Sequence, residues 1–142
     1  MPIPAPEPGL VISYAYLWDH EAQRGQEEGR KDRPCVVTLA VQRQQYDETL
    51  VTVLPITHNP PGNASAAVEI PLSVKRLLGL DDARSWVVVS EGDQFVWPGY
   101  DLRKAGGNDR YDYGFLPPNF FRSILATFRA WHETHKVTST TR

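Results

Sequence analysis

Four short apolar runs, rich in β-branched residues, occur along this chain, and no helical period separates the first three. Leu10 to Trp18 alternates, with Leu10, Ile12, Tyr14, Tyr16 and Trp18 on one face and the smaller Ser13 and Ala15 on the other, beside Val11 and Leu17. Cys35 to Val41, Leu50 to Ile56 and Trp86 to Val89 are short runs of the kind that suits buried strands. Ala67 to Ile70 and Gln94 to Trp97 are weaker strand candidates. Strands that follow one another without intervening helices disfavour a parallel βαβ sheet and point to antiparallel pairing.

Helical spacing occurs twice. Ser73 to Leu78 is a short candidate, with Ser73 as N-cap and Gly79 as stop. Asn119 to His135 is longer. Its apolar residues Phe120, Phe121, Ile124, Leu125, Phe128 and Trp131 recur at three- and four-residue steps, while Arg122, Arg129 and Glu133 fall on the opposite face. Pro117 and Pro118 stand just before it, where proline is tolerated. Short strands, a one-turn helix and a closing helix predict a small, curved, mainly antiparallel β-barrel.

The chain has 142 residues, 41% hydrophobic and 23% charged. That size fits one domain with a core large enough to fold unaided. The expected organisation is a Pro-rich N-terminal tail over 1–8, a barrel domain over 9–135 and a C-terminal tail over 136–142, with the Thr/Ser-rich end frayed. The net charge of −2 excludes a broadly basic surface but leaves a local basic cleft open. The single cysteine, Cys35, excludes intramolecular disulfides and CxxC zinc sites. It sits in an apolar strand, which favours a buried inert thiol over a nucleophile. No apolar run approaches the ~20 residues that span a bilayer. With no secretory pattern at the N-terminus, a cytoplasmic protein without membrane partners is expected.

Two polar segments carry the candidate chemistry. Residues 19–32 (DHEAQRGQEEGRKD) lack apolar periodicity, and a loop of that length in a compact domain is usually functional or mobile. Residues 58–65 (HNPPGNAS) are all turn chemistry. Leaving from the flanks of the second and third strands, the two loops are placed to meet over one rim of the barrel. Arg33 begins the second strand after the first loop. Its planar, permanent cation matches phosphate, although position alone favours a solvated Arg paired with Glu27, Glu28 or Asp32. Thr57 ends the third strand and can offer a hydroxyl to a phosphate oxygen; the plainer reading is a strand-end residue bonded to nearby backbone. His58 can serve as acid or base near neutrality, or be only an exposed loop residue. Glu28 can act as base or orient Arg33, or belong to a solvated face with Arg24, Arg30 and Lys31. His132 and His135 are three apart near a helix end, so no metal site and no cofactor are expected. Trp18, Trp86, Trp97, Tyr111 and Tyr113 are candidates for stacking single-stranded bases. Core packing is favoured for Trp86, and the question is open for Tyr111 and Tyr113.

Taken in order, these motifs resemble the MazF/PemK (Kid-like) toxins of type II toxin–antitoxin systems. Pro8-Gly9 and an apolar strand come first, followed by a polar loop and Arg33-Pro34-Cys35-Val36-Val37, similar to the family's Arg-Pro-x-x-Val. Val53-Leu54-Pro55-Ile56-Thr57 is similar to its strand ending Pro-hydrophobic-Thr/Ser. Leu78-Gly79-Leu80, Ser85-Trp86-Val87-Val88, Asp93-Gln94 and the final helix follow in family order, so the likeness covers about residues 8–135. It departs at Leu10, where an acidic residue is usual, in the longer stretch after Trp97, and in the His58 and prolines that follow Thr57.

The resemblance implies an SH3-like barrel that forms a homodimer. It further implies sequence-selective, metal-independent cleavage of single-stranded RNA by 2′-OH attack, leaving a 2′,3′-cyclic phosphate. Arg33 and Thr57 would serve the phosphate, with Glu28 and His58 as acid/base candidates and Arg24, Arg30, Lys31 and Gln94 as RNA contacts. A cognate antitoxin would neutralise the activity, with operator DNA bound only by the toxin–antitoxin complex. The competing expectation is a non-catalytic toxin or a nucleic-acid- or partner-binding module, since gyrase-poisoning toxins carry the same barrel without the Arg/Thr pair.

Overall fold

The computed structural model describes residues 3–20, 32–99, 101–105, 110–135 and 138–141. Among them nine strands form one sheet: β1 (Leu10–Tyr14), β2 (Arg33–Arg43), β3 (Glu48–Thr57), β4 (Ala67–Glu69), β5 (Trp86–Val88), β6 (Glu91–Val96), β7 (Leu102–Arg103), β8 (Asp112–Phe115) and β9 (Thr138–Thr141). With them pack the α-helices α1 (Leu72–Leu77) and α2 (Pro118–Thr134). The main path runs β4-β5-β3-β2-β1-β7, with β6 on β3 and β8 on β1. All pairs are antiparallel except β6 with β9, which is parallel. The result is the expected mainly antiparallel, open barrel closed by a C-terminal helix.

Period-2 alternation sends neighbouring side chains to two different cores. Leu10, Ile12, Tyr14 and Tyr16 of the first run join Cys35, Val37, Val51, Val53 and Phe95 in one cluster. Val11, between them, joins Val36, Leu54, Ile56, Val87 and Ile124 in the other. A strand buried on both faces reads as a nearly continuous apolar run, which is how β1, β2 and β3 look in sequence. The second cluster is covered by α2. Ile124 is fully buried, and Phe120, Phe121, Phe128 and Trp131 pack around it, while Arg122, Arg129 and Glu133 are exposed.

Strand β3 sets the position of the candidate site. One edge pairs with β2 along its length. The other edge pairs first with β6 (Leu50–Val53) and then with β5 (Ile56 and Thr57). Thr57 therefore ends a strand that is held on both sides, next to the point where β2 starts at Arg33.

Several local expectations are corrected. Ser73 is not the N-cap of α1: the helix begins one residue earlier, after Pro71, with no side-chain cap. Proline supplies the φ needed for the start, so no capping hydroxyl is required. Gly79 does stop it, at φ +71°, with Gly79 N–H on the Arg76 carbonyl and Leu80 N–H on that of Lys75, a Schellman closure. The stretch after Trp97 is more than a loop, because β7 and β8 within it pair with β1. Nor does the Thr/Ser-rich end fray: Thr138–Thr141 pairs with Glu91–Gln94. Pairing with an open edge outweighs the low apolarity of that segment. The N-terminal segment is tied down by the Trp97 indole, whose N–H donates to the Pro4 carbonyl at 3.1 Å.

Candidate active site

Arg33, Thr57 and His58 converge. They share a small cavity of about 160 Å³ with Asp32, Pro34, Ile56, Lys75, Leu80, Asp81 and Ser85. Arg33 and Thr57 also line an adjoining cavity of about 440 Å³, whose walls include Trp18, His20, Asn59, Pro60, Pro61 and Gly62. The described start of the first polar loop thus meets the second loop over one rim. The two strand-end residues form the shared wall between the chambers.

The Arg33 guanidinium lies 5.0 Å from the centroid of the Trp18 ring. Its Nε is buried and has no hydrogen-bond partner among the described residues. Asp32, one of the partners considered for it, instead stands 3.7 Å from Arg103 Nε. Arginine carries five N–H donors in a fixed fork, so a cation held by a ring face keeps donors for an anion entering the cavity. Thr57 is nearly buried. Its Oγ1 accepts the Asn59 N–H at 3.1 Å, the backbone bond expected of a strand-end threonine. That bond uses a lone pair and leaves the hydroxyl proton to donate.

His58 is exposed but anchored, with Nε2 2.8 Å from Asp81 Oδ2. Behind Asp81 lies Lys75, an ammonium only 2% exposed. Its Nζ donates to Asp81 Oδ1 at 2.5 Å, to Ser85 Oγ at 2.6 Å and to the Ala83 carbonyl. Bonded to Lys75, the Asp81 carboxyl is held below the usual carboxylate range. Partial desolvation opposes this, and His58 reinforces it. Lys75 and Asp81 carry no signal in the sequence: a lysine in a one-turn helix and an aspartate after a glycine stop are commonplace, and Ser85 is marked only by the family-like Ser85-Trp86-Val87-Val88 run.

Gln94 on β6 stands apart from these chambers. It lines a groove between the sheet and α2, with Thr52, Leu54, Phe121 and Phe128. Glu27, Glu28, Arg24, Arg30 and Lys31 lie outside the described residues. Cys35 is fully buried; desolvation, then Asp93, push its thiol well up, against a smaller opposing pull from Arg33. Trp86 is buried beneath the Arg84 guanidinium. Trp97 stacks on Phe95. Tyr111 and Tyr113, left open by the sequence, pack against the two core clusters. His132 and His135 stack on Phe128 and Trp131. Among the described residues, no group of three or more His, Cys, Asp or Glu converges as a metal site would require, and no helix is long and apolar enough to cross a membrane.

No curated protein and no solved structure matches the chain. A family model described as PemK-like, MazF-like toxin of type II toxin-antitoxin system matches residues 15–93, more than half of it. The matched segment runs from the end of the first apolar run to Asp93 and contains Arg33, Thr57 and the whole Lys75–Asp81 element. The chain therefore belongs to the PemK-like, MazF-like toxins of type II toxin–antitoxin systems.

Proposed function

We propose that this toxin is a sequence-selective endoribonuclease that cleaves single-stranded RNA, and so blocks translation until an antitoxin covers the rim. The observation that carries the reading is the Arg33–Thr57 wall between two adjoining cavities. A phosphodiester has a nucleotide on each side, and a cation with a hydroxyl at the junction suits the phosphate between them. The ribose 2′-oxygen forms a bond to phosphorus as the bond to the 5′-oxygen breaks. The products are a 2′,3′-cyclic phosphate and a 5′-hydroxyl. Charge that builds on the phosphorane oxygens is met by Arg33 and the Thr57 hydroxyl. His58 moves a proton at the attacking or leaving oxygen. The nucleophile comes from the substrate and the fixed positive charge from Arg33, so the step needs no metal. Glu28 is proposed as the second acid/base group, and Arg24, Arg30, Lys31 and Gln94 as contacts along the rest of the strand. The toxin is proposed to work as a homodimer, since a second copy doubles the basic field around Arg33. An acidic antitoxin segment that folds on binding suits the same cations.

The test is incubation of the purified protein with a mixed-sequence RNA in chelator, followed by analysis of the ends. Cyclic phosphate and 5′-hydroxyl ends at recurring sequences are expected. No cutting occurs where the nucleotide before the cut carries 2′-deoxyribose, because the attacking oxygen is then missing. Intact RNA overturns the reading in favour of a binding module, and a deoxy-substituted strand cut as fast as the parent strand overturns attack by the 2′-oxygen.

A further inference from the structure

We infer that Asp81, locked by Lys75, is a positioning residue that holds His58 in a single tautomer, with the proton on Nε2 and the lone pair of Nδ1 left for the reaction. The inference rests on the endoribonuclease reading above and deepens it. An ammonium has three donors. All three of Lys75 are spent, on Asp81 Oδ1, Ser85 Oγ and the Ala83 carbonyl, so Lys75 keeps none for a phosphate. Asp81 Oδ1 accepts a second bond, from the Ala83 N–H at 3.1 Å. With Oδ1 doubly held, the carboxylate cannot rotate freely, and Oδ2 is presented to His58 Nε2 at 2.8 Å. An ionised carboxylate only accepts, and the Lys75 bond keeps Asp81 ionised. Nε2 must therefore carry the proton, which makes Nδ1 the basic nitrogen of the neutral ring. Carboxylate–imidazole pairs fix the tautomer and orientation of general bases in this way. The buried lysine also explains how an exposed aspartate stays in place: its anchor, at 2% exposure, is part of the wall.

A plainer reading makes the cluster a staple for residues 81–85. That reading accounts for Lys75 and Ser85, but gives no role to the bond that reaches out to His58, which closes no part of that loop. The two readings separate in Asp81→Asn. The asparagine oxygen keeps both bonds of Oδ1, because Lys75 Nζ and the Ala83 N–H are both donors. Its NH2 must then face His58 Nε2, which can only accept, and the ring proton is driven to Nδ1. The loop survives and the tautomer inverts.

The experiment compares the parent, Asp81→Asn, His58→Ala and the double variant on an RNA oligonucleotide that the parent cuts. Two-bond 1H–15N spectra of the His58 ring accompany the kinetics. Asp81→Asn is expected to keep the parent's backbone spectrum and KM, to lower kcat by about 10²–10⁴-fold, and to move the ring proton from Nε2 to Nδ1. The double variant is expected to cut no more slowly than His58→Ala, since both changes disable one device. An Asp81→Asn protein that cuts at the parent rate, a tautomer unchanged by the substitution, or losses that multiply in the double variant would each overturn the inference while the nuclease reading stands. A parent that cuts no RNA overturns both.

Discussion

The Arg33 guanidinium rests on the Trp18 ring at 5.0 Å, with a buried Nε that no described residue engages. A cation–ring contact of this kind contributes about 0.5–2 kcal/mol, and here it also fixes where the remaining donors point. Arg33→Ala is expected to slow RNA cleavage by about 10²–10³-fold, the usual loss for one donor to a developing oxyanion. Trp18→Ala leaves the cation but removes the plate, so its effect is smaller, about tenfold, and Trp18→Phe recovers part of it. Thr57→Ala slows cleavage, while Thr57→Ser, which keeps the hydroxyl, does not. Single-turnover rates on one oligonucleotide decide the order. A Trp18→Ala protein slower than Arg33→Ala would show that the indole matters in its own right.

Asp81 gives the fold an acid-sensitive element. Its folded-state pKa lies below the unfolded value of about 4. The stabilisation it brings is therefore fully present above that pH and is lost as pH falls through the depressed folded value. The side chain is more than half exposed, which keeps the effect small. Urea midpoints measured from pH 6 downwards are expected to show the parent above Asp81→Asn near neutrality and the two converging at the acid end. A gap that stays constant with pH would mean that the carboxylate charge contributes nothing.

Much of this architecture can be read directly in the chain. Short β-branched runs lead to β1, β2, β3 and β5, the first three without intervening helices, and the three- and four-residue spacing from Phe120 to Trp131 leads to α2 and its buried face. Arg33 and Thr57 are legible as candidates, each at a strand end beside a polar loop, but position alone favours plainer roles for both, and it is the resemblance of Arg33-Pro34-Cys35-Val36-Val37 and Val53-Leu54-Pro55-Ile56-Thr57 to family motifs that raises them. What escapes the sequence is set by partners distant in the chain. Asp112–Phe115 contains an aspartate and a glycine that local propensity disfavours in strands. It forms β8 because β1 offers an edge, while Asp112 Oδ1 takes the Gly114 N–H at 2.9 Å and Arg110 Nη2 at 2.7 Å. Thr138–Thr141 has no apolar pattern at all, yet it pairs with Glu91–Gln94. The Lys75–Asp81–His58 line joins three elements whose spacing carries no motif, so only the fold brings it together.

Cys35 provides a check on the core that is independent of catalysis. It is fully buried in β2, and its thiol is pushed well above the ordinary range, chiefly by desolvation. The thiolate is the reactive form, so the native protein is expected to resist alkylation at neutral pH and to react fully once unfolded in urea. Mass spectrometry after a timed iodoacetamide pulse reads the fraction modified. Rapid labelling of native protein would mean that the face shared with Ile12, Val37 and Val53 is open to solvent.

The seam between β6 and β3 leads to a final expectation. Gly92 is flanked on β6 by Glu91 and Asp93, and Asp93 pairs with Val53 of β3. A Cβ built on Gly92 would lie 2.9 Å from the Val53 carbonyl oxygen and 3.3 Å from Leu54 Cδ2. The first contact is with backbone inside a paired strand, so it cannot be relieved by a rotamer change. Gly92→Ala must therefore push β6 away from β3, at a cost of about 1–3 kcal/mol, as for other overpacked sites. Gly62, in the loop between β3 and β4, has nothing within 4 Å of such a Cβ. Gly62→Ala is expected to change stability by no more than about 0.5 kcal/mol, as at ordinary surface positions. Urea midpoints for the two variants make the comparison, since each adds the same methyl group. Gly62→Ala also lies on the wall of the larger cavity beside Arg33. A Gly62→Ala protein with parental stability but altered cleavage sequence preference would place a nucleotide of the substrate in that chamber, whereas Gly92→Ala is expected to lose stability.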